Sequence, residues 1–169
     1  MCTLAGACRE YERSVTATPT ITVITEPPPG EVVRAIHAGL RAYNAQFTTP
    51  GPTTRFAVFV RDEAGVSIGG LEGSLRWNWL HVDNLWLPEV LRRRGVGAAV
   101  LRAAEAFAAD RGCTASYLDT YEFQALSFYE RQGYSVFGEQ EGFPPGYRRY
   151  FLQKALCFPT TRRLPDAAV

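Results

Sequence analysis

The sequence lacks several features that would assign it to a common functional class. Its 169 residues include one methionine, two histidines and four cysteines, and no two cysteines have CxxC spacing. Zinc sites take closely paired cysteines and disulfide-stabilised domains carry more of them, so we expect no metal site and free thiols in a reducing cytoplasm. No run of about 18 apolar residues occurs, so we expect no membrane-spanning helix.

An excess of charge of either sign is also missing. Lysine and arginine total 18 and aspartate and glutamate total 17, which gives a formal net charge of +1. Affinity for phosphate backbones grows with the number of cationic contacts, so nucleic acid is not the expected partner. Residues 1–19 have no basic start followed by an apolar run, and we expect a flexible arm there, not a secretory signal. One domain over 20–157 and a tail over 158–169 complete the predicted organisation.

Hydrophobic periodicity predicts the order β α β β β α β α β β, a single mixed α/β domain. Alternation predicts a first strand over 20–26. Apolar positions spaced by three and four predict a helix from Glu31 to Phe47, with a face formed by Val33, Ile36, Leu40, Tyr43 and Phe47. Three strands are then predicted over 55–62, 66–77 and 79–87, and the glycines of the second indicate a bulge or a close backbone approach.

The second half of the chain alternates helices and strands. A helix that ends near Gly112 is predicted to have an inner face of Val96, Val100, Ala103 and Phe107. A strand over 114–120 leads to a short helix over 123–133, which Gly133 closes at the C′ position. Strands over 134–139 and 147–156 form a closing hairpin.

Three consecutive arginines precede a Gly-x-Gly in the stretch Leu91–Leu101, LRRRGVGAAVL. Glycines let the backbone turn tightly, and the N–H groups at the start of the next helix have no intrahelical acceptor. Such a helix start binds anions, and arginine side chains add charge and donors, so a diphosphate is the expected ligand. The alternative is a solvated basic turn. A Walker loop and a dinucleotide fingerprint are both excluded, because their further residues are missing.

Two motifs carry a family resemblance. Arg92-Arg93-Arg94-Gly95-Val96-Gly97 resembles the [R/Q]-x-x-G-x-[G/A] signature of the GNAT superfamily of acyl-CoA-dependent N-acyltransferases. Ala125 to Tyr134 resembles the second motif of that family, A-x-x-F-Y-x-x-x-G-[FY]. The resemblance spans about residues 20–156. Residues 118–156 also resemble a bacterial subgroup of small-molecule acetyltransferases, some of which modify antibiotics such as kasugamycin.

The resemblance implies an α/β GNAT fold: one mixed, mostly antiparallel sheet, splayed between the fourth and fifth strands and flanked by helices. The pyrophosphate of acetyl-CoA would lie on the amides of Arg93 to Ala98, and its pantetheine arm would bond the main chain of Leu85 to Leu87. The family usually has Asn where this chain has Glu122, and Gln124 or Thr120 could replace its contact. The implied coenzyme-binding residues are Leu85, Trp86, Leu87, Arg92, Arg93, Arg94, Gly95, Val96, Gly97, Ala98, Gln124, Ala125 and Phe128.

Amide formation from a thioester needs a base for the amine proton and an acid for the departing thiolate. The resemblance implies Tyr129 as the acid, against the alternative of a tyrosine packed on its helix. It implies Asp83 and His81 as base candidates. The alternative is that His81 is an ordinary surface histidine and that Asp83 only caps the strand. Period-two geometry predicts that residues 81, 83 and 85 share one strand face.

Candidate acceptor contacts surround the same strand. Trp77, Trp79 and Trp86 cluster in the sequence, although packing is the more common role of tryptophan. Glu72, Asp119, Glu122 and Tyr147 are predicted to form an acidic, aromatic cup for a cationic amine. Phe47 and the loop 48–54 are predicted to form a lid over the acceptor.

The family resemblance implies an N-acetyltransferase that moves acetyl from acetyl-CoA to a primary amine. No cysteine lies in a nucleophile context, so direct attack in a ternary complex is expected. The expected acceptor is a small cationic molecule, with an aminoglycoside-type antibiotic such as kasugamycin as one candidate. A protein lysine or N-terminus, a non-catalytic CoA-binding module and a nucleotide-binding regulator stay as alternatives. We expect a cytoplasmic enzyme, and the family resemblance implies a homodimer.

Overall fold

A computed structural model describes residues 21–23, 27, 29–49 and 51–156. The predicted arm, the tail, Cys2, Cys8 and Cys157 lie outside these residues. Residues 21–23 are not in a strand, and the remainder of the predicted first strand lies outside the described part. The chain divides into two compact units, residues 1–50 and 51–169.

The first unit contains helix α1, Gly30–Asn44. It begins after Pro29, whose carbonyl accepts the N–H groups of Val32 and Val33. The helix ends three residues earlier than predicted, because residues 45–47 form a turn in which the N–H of Phe47 bonds the carbonyl of Asn44. The ring of Phe47 packs against that of Tyr43, with 5.3 Å between the ring centroids.

The second unit is built on one mixed sheet, as predicted. Its strands are β1 (Thr54–Arg61), β2 (Ser67–Arg76), β3 (Trp79–Trp86), β4 (Ala115–Tyr121), β5 (Ser135–Glu141) and β6 (Arg148–Ala155). Within the described residues their order is β1-β2-β3-β4-β6-β5, and only β3 and β4 pair in parallel. Because the predicted first strand is not among them, the predicted fourth and fifth strands are β3 and β4.

Helix α2 (Val96–Ala109) and the short helix α3 (Leu126–Arg131) follow β3 and β4. The predicted inner face of α2 is partly wrong: Val100 is buried, but Ala103 is exposed and Val96 and Phe107 are half-buried. The buried residues of the helix are Val100, Leu101, Ala104, Glu105 and Ala108. Alanines occupy both faces of this helix, so its sequence gives a weak signal for the direction of the core.

An ion pair connects α2 to β6. Nζ of Lys154 donates to both carboxylate oxygens of Glu105, at 2.9 and 2.8 Å. Glu105 is buried, so the pair satisfies a charge that would otherwise be costly to place in the core. Beside it, the hydroxyls of Ser116 and Tyr134 are 2.8 Å apart. These contacts show that α2 and Tyr134 cover the same face of the sheet, which we call the covered face.

Backbone geometry explains the glycine in β2 and the turn that follows this strand. A Cβ on Gly70 would overlap the carbonyl oxygen of Val58, which confirms the close approach predicted from the glycines of β2. Strands β2 and β3 are joined by a turn at Trp77 and Asn78, which both have positive φ, 48° and 62°. Two left-handed residues in succession match the twist of a tight hairpin.

None of the helices that the structure describes is long and apolar enough to cross a membrane.

Candidate functional site

Strands β3 and β4 diverge to leave a gap in the sheet. Their parallel pairing covers Trp79 to His81 on β3 and ends at the pair His81–Tyr117. Strand β3 continues to Trp86 and β4 to Tyr121, so their facing edges are unpaired within the described residues. The main-chain groups along these edges are free to bond an extended ligand.

A β-bulge in β3 determines which of its side chains lie on the face of the sheet opposite the covered face. We call this opposite side the open face. Glu72 of β2 is opposite Asn84, but its neighbour Gly73 is opposite Val82, so Asp83 is the extra residue. Leu85 consequently lies opposite the buried Leu71 and packs against the core. The prediction that residue 85 shares a face with 81 and 83 is therefore wrong, because a bulge reverses the alternation.

His81 is held between two side chains at the point where the gap begins. Its Nδ1 lies 2.6 Å from Oδ1 of Asp83, and its imidazole stacks on the ring of Tyr117 at 4.4 Å with 16° between the planes. The His81 and Asp83 side chains are 31% and 37% exposed, so a ligand can reach them. The contact with Asp83 favours a proton on Nδ1, which leaves Nε2 as the proton acceptor.

The arginine–glycine segment forms a helix start with free amides. Gly95 precedes α2 in a left-handed conformation, with φ of 79°, and no side chain of the described residues caps the helix. Among the described residues, the N–H groups from 93 to 98 have no backbone acceptor. Nε of Arg92 donates to the carbonyl of Leu87 at 3.0 Å, whereas Arg93 and Arg94 form no ion pair in the described part of the chain.

Three candidate coenzyme residues meet beside this helix start. A Cβ built on Gly97 would lie 3.5 Å from the ring of Phe128 and 3.6 Å from Cδ1 of Leu87. The signature glycine, the second motif and the end of β3 therefore converge. Val96, Ala98 and Ala125 line the adjoining helix starts, and Leu85 and Trp86 lie along the edge of β3 that borders the gap.

Tyr129 of α3 is buried and packs between Phe128 and Tyr134. Its hydroxyl has no hydrogen-bond partner among the residues described. Burial, with a smaller contribution from the negative charge of Asp119, raises its pKa from 10 to about 12. The phenol therefore keeps its proton at neutral pH and can donate a hydrogen bond.

The turn from β4 into α3 engages Gln124 and Glu122. Oε1 of Gln124 accepts the hydroxyl of Thr120 at 3.2 Å and the N–H of Tyr121 at 3.0 Å. Glu122 exchanges bonds with Arg148: its N–H donates to the Arg148 carbonyl, and its Oε2 accepts the Arg148 N–H. The Gln124 amide oxygen is thus used within the protein, and only its NH₂ remains for a ligand.

The four residues of the predicted acidic cup separate into two groups. Asp119, Glu122 and Tyr147 lie on or beside β4 and β6, whereas Glu72 lies on β2, two strands from β4 and on the other side of the gap. Asp119 accepts Nε of Arg149 at 2.7 Å, so its charge is paired. Oε2 of Glu72 accepts the side-chain N–H of Asn84.

The tryptophans are also dispersed. Trp77 lies in the β2–β3 turn beneath Arg76, at the end of the sheet where β3 and β4 still pair. Trp79 contacts Tyr117 edge-on at 6.0 Å. Trp86 lies at the opposite end of β3, where it lines a pocket of about 290 Å³ with Glu72 and Asn84. Phe47 belongs to the first unit of the chain, and its predicted lid role stays a prediction.

Sequence reasoning missed three neighbours of the candidate residues. Tyr117 supports the His81 ring, and its position two residues before Asp119 on the same strand face was the available signal. Asn84 reaches the open face only because of the bulge. Arg149 neutralises Asp119 from 30 residues away, a contact that no local pattern indicates.

The described residues contain no cluster of three or more His, Cys, Asp or Glu side chains suited to a metal ion. Cys113 is buried in the core, and burial raises the pKa of its thiol.

Comparisons with known proteins agree with this architecture. The model of the acetyltransferase (GNAT) family matches residues 24–134. Blasticidin-S acetyltransferase of Streptomyces morookaense is 39% identical over 106 residues, 62% of this chain and 78% of that protein. An acetyltransferase of Agrobacterium fabrum is 31% identical over 132 residues, 78% of this chain and 96% of that protein. The crystal structure of a Bacillus cereus acetyltransferase has 31% identity and a TM-score of 0.72, covering 79% of this chain and 98% of that one.

Proposed function

The chain belongs to the acetyltransferase (GNAT) family, and from this premise we propose that it transfers an acetyl group from acetyl-CoA to a primary amine of a small molecule. The observation that carries the proposal is the gap between β3 and β4, which opens beside a helix start with unbonded amides.

The coenzyme would lie across both features. Its diphosphate would bind the amides of residues 93–98, with the unpaired guanidinium groups of Arg93 and Arg94 beside it. Its pantetheine arm would enter the gap and bond the main-chain edge of Leu85 to Leu87, where the carbonyl of Leu87 already accepts a hydrogen bond from Nε of Arg92. The NH₂ group of Gln124 is the available substitute for the asparagine that the family usually has, since Glu122 is occupied by Arg148.

His81 is the proposed base, and Asp83 and Tyr117 hold it in place. The neutral amine attacks the thioester carbonyl carbon, the C–S bond breaks, and the amine loses a proton to Nε2 of His81. Asp83, at 2.6 Å from Nδ1, stabilises the imidazolium that forms. Tyr117 fixes the plane of the ring.

Tyr129 is the proposed acid for the leaving group. Its raised pKa keeps the phenol protonated, so the hydroxyl can donate a hydrogen bond that stabilises the developing thiolate, while full transfer of the proton is less favourable than from an ordinary phenol. Direct attack on the thioester is preferred over an acyl-enzyme, because no cysteine lies in a nucleophile context in the sequence and Cys113, the one cysteine that the structure describes, is enclosed in the core.

A small antibiotic is the proposed acceptor class. Support comes from the 39% identity to a protein named for blasticidin S and from the sequence resemblance to antibiotic-modifying acetyltransferases. An aminoglycoside-type acceptor such as kasugamycin remains a candidate on the second ground alone.

The test is release of free CoA thiol from acetyl-CoA with a panel of amines that includes blasticidin S, kasugamycin and a lysine peptide. The proposal expects release that depends on both substrates, with a small antibiotic as the best acceptor and the acetylated amine identified by mass. Binding of acetyl-CoA without release for any amine would contradict it, and a preference for the peptide would contradict the acceptor class.

A further inference from the structure

Four aromatic side chains form a cluster at the C-terminal end of β4. Tyr121 stacks on Phe123 with 5.4 Å between centroids and 8° between planes, and on Phe143 at 6.2 Å. Tyr147 contacts Phe123 edge-on at 4.9 Å. We call Tyr121, Phe123, Phe143 and Tyr147 the ring cluster. None of its members has a role in the reaction steps proposed above.

The ring cluster is exposed to an extent that is unusual for so much aromatic surface. Phe123 is 55%, Tyr147 47% and Phe143 42% exposed. Exposed apolar surface that forms a contiguous patch usually marks a binding site, since leaving it in water forfeits hydrophobic free energy.

The loops that carry these rings are fixed by hydrogen bonds. The N–H of Phe143 bonds the carbonyl of Tyr147, and the N–H of Tyr147 bonds the carbonyl of Pro144. The turn before Phe123 is bound to β6 through the two bonds between Glu122 and Arg148. A ligand would therefore meet a preorganised surface and pay little for ordering it.

The ring cluster lies on the same face as the proposed base. Tyr117, Asp119 and Tyr121 alternate with the buried Ser116, Leu118 and Thr120, and Tyr117 is the residue that stacks on His81. Tyr121 lies four residue steps along the extended strand from Tyr117, which corresponds to about 13 Å. An acceptor with its amine at His81 could reach the cluster only if it is elongated by about that length.

Charge at this end of the sheet is largely cancelled. Arg149 pairs with Asp119 at 2.7 Å and lies over the ring of Phe143 at 5.3 Å, and Arg148 pairs with Glu141 at 3.1 Å. Glu122 accepts the backbone N–H of Arg148 and forms no ion pair with another described residue. The faces of the rings, and not a carboxylate, are therefore the main feature offered to a ligand.

From these observations we propose that the ring cluster binds a flat, unsaturated, uncharged ring carried by the acceptor at about 13 Å from the amine that is acetylated. Stacking on aromatic faces favours planar π-systems over saturated rings of the same size. This inference rests on the proposed function, and it replaces the predicted acidic cup as the selective part of the acceptor site.

Two matched acceptors test the proposal. Both carry a primary amine on the same alkyl linker; one ends in a benzamide and the other in the cyclohexanecarboxamide of equal length. The proposal expects kcat/KM to be about two- to tenfold higher for the benzamide, the range that one aromatic contact contributes. Equal values of kcat/KM for the two acceptors, or a preference for the saturated ring, would overturn this inference. Thiol release with both acceptors would still support the transferase function.

Two variants locate the effect. Phe123→Leu keeps apolar bulk but removes the π-face, and it should raise KM for the benzamide acceptor about two- to tenfold, with little change in kcat. Phe137→Leu, at an exposed ring on β5 outside the cluster, is the control and should leave KM and kcat unchanged for both acceptors. Equal loss for the two acceptors in Phe123→Leu would show a structural defect and contradict ring recognition.

A binding measurement separates the inference from the proposed chemistry. Saturation-transfer NMR with benzamide, which has no primary amine, should show contact with wild-type protein and a weaker effect in Phe123→Leu. Absence of contact would overturn the subsite. Absence of thiol release from every amine, while acetyl-CoA binds, would instead overturn the proposed function.

Discussion

Nδ1 of His81 lies 2.6 Å from Oδ1 of Asp83, at the residue where β3 stops pairing with β4. The two side chains come from one strand, and the bulge at Asp83 lies directly beside the contact. On the N-terminal side of these residues β3 and β4 are paired, and on the C-terminal side the two strands are separated by the gap. A proton acceptor is thus placed at the closed end of the gap in which the thioester is proposed to lie.

Asp83→Asn should lower kcat about tenfold or more with little change in the dissociation constant of acetyl-CoA. The amide cannot stabilise the imidazolium, so the loss appears in proton transfer. His81→Gln should lower kcat about 100-fold, the lower end for a general base. Steady-state kinetics with both single variants and the double variant check this, because residues that act as one unit are not additive. A double variant whose loss is the product of the single losses would contradict a joint role.

Tyr129→Phe should lower kcat about 100-fold while the affinity for acetyl-CoA stays near normal. Phenylalanine keeps the packing against Phe128 and Tyr134 and removes only the hydroxyl. Thiol release and direct titration of the coenzyme measure the two quantities. A rate equal to that of wild type would exclude the acid role.

Alkaline pH should destabilise the protein through Tyr129. Its folded-state pKa of about 12 exceeds the ordinary value of 10, so above pH 10 the unfolded chain loses a proton that the folded protein retains. The contribution is complete below pH 10 and is lost as the pH rises to 12, at about 1.4 kcal/mol per pH unit. Burial also raises the pKa of Tyr134, which acts in the same direction.

Urea unfolding between pH 9 and 11.5 measures this effect, with Tyr129→Phe as the matched variant. The free energy of unfolding of wild type should fall more steeply with pH than that of the variant. Parallel pH dependences would show that the phenol titrates equally in the folded and unfolded states.

Gly97→Asp should abolish binding of CoA, whereas Gly97→Asn should weaken it much less. Space for a Cβ exists at Gly97, since the nearest atoms of Phe128 and Leu87 are at ordinary contact distance. The two side chains have nearly the same size, so the difference between them reports negative charge at the helix start. Calorimetric titration with CoA measures both, and equal affinities would contradict the placement of the diphosphate.

The sequence predicted most of the fold because its signals are local. Alternation located the strands of the sheet to within a residue or two, and Gly133, predicted to close the short helix at the C′ position, has the left-handed backbone expected there, with φ of 88°. Helix α3 begins at Leu126 and not at 123, because the Gln124 side chain bonds back to Thr120 and Tyr121 and holds the preceding residues in a turn.

What the sequence could not predict depends on contacts between distant residues. The bulge at Asp83 follows from the register of β2 against β3 and reverses the face of Leu85, which no local pattern at that position indicates. The sequence does not show that the Asp119 carboxylate is paired with Arg149 and therefore less available to a ligand. The stacking of His81 on Tyr117 depends on how far the two parallel strands stay paired.

A crystal structure with bound acetyl-CoA tests the central claim most directly, because that claim is the position of the coenzyme. We predict electron density for the diphosphate at the amides of residues 93–98 and for the pantetheine arm between β3 and β4, bonded to the main chain of Leu85 to Leu87. Density elsewhere on the protein, or β3 and β4 paired along their whole length beside the bound coenzyme, would contradict the account.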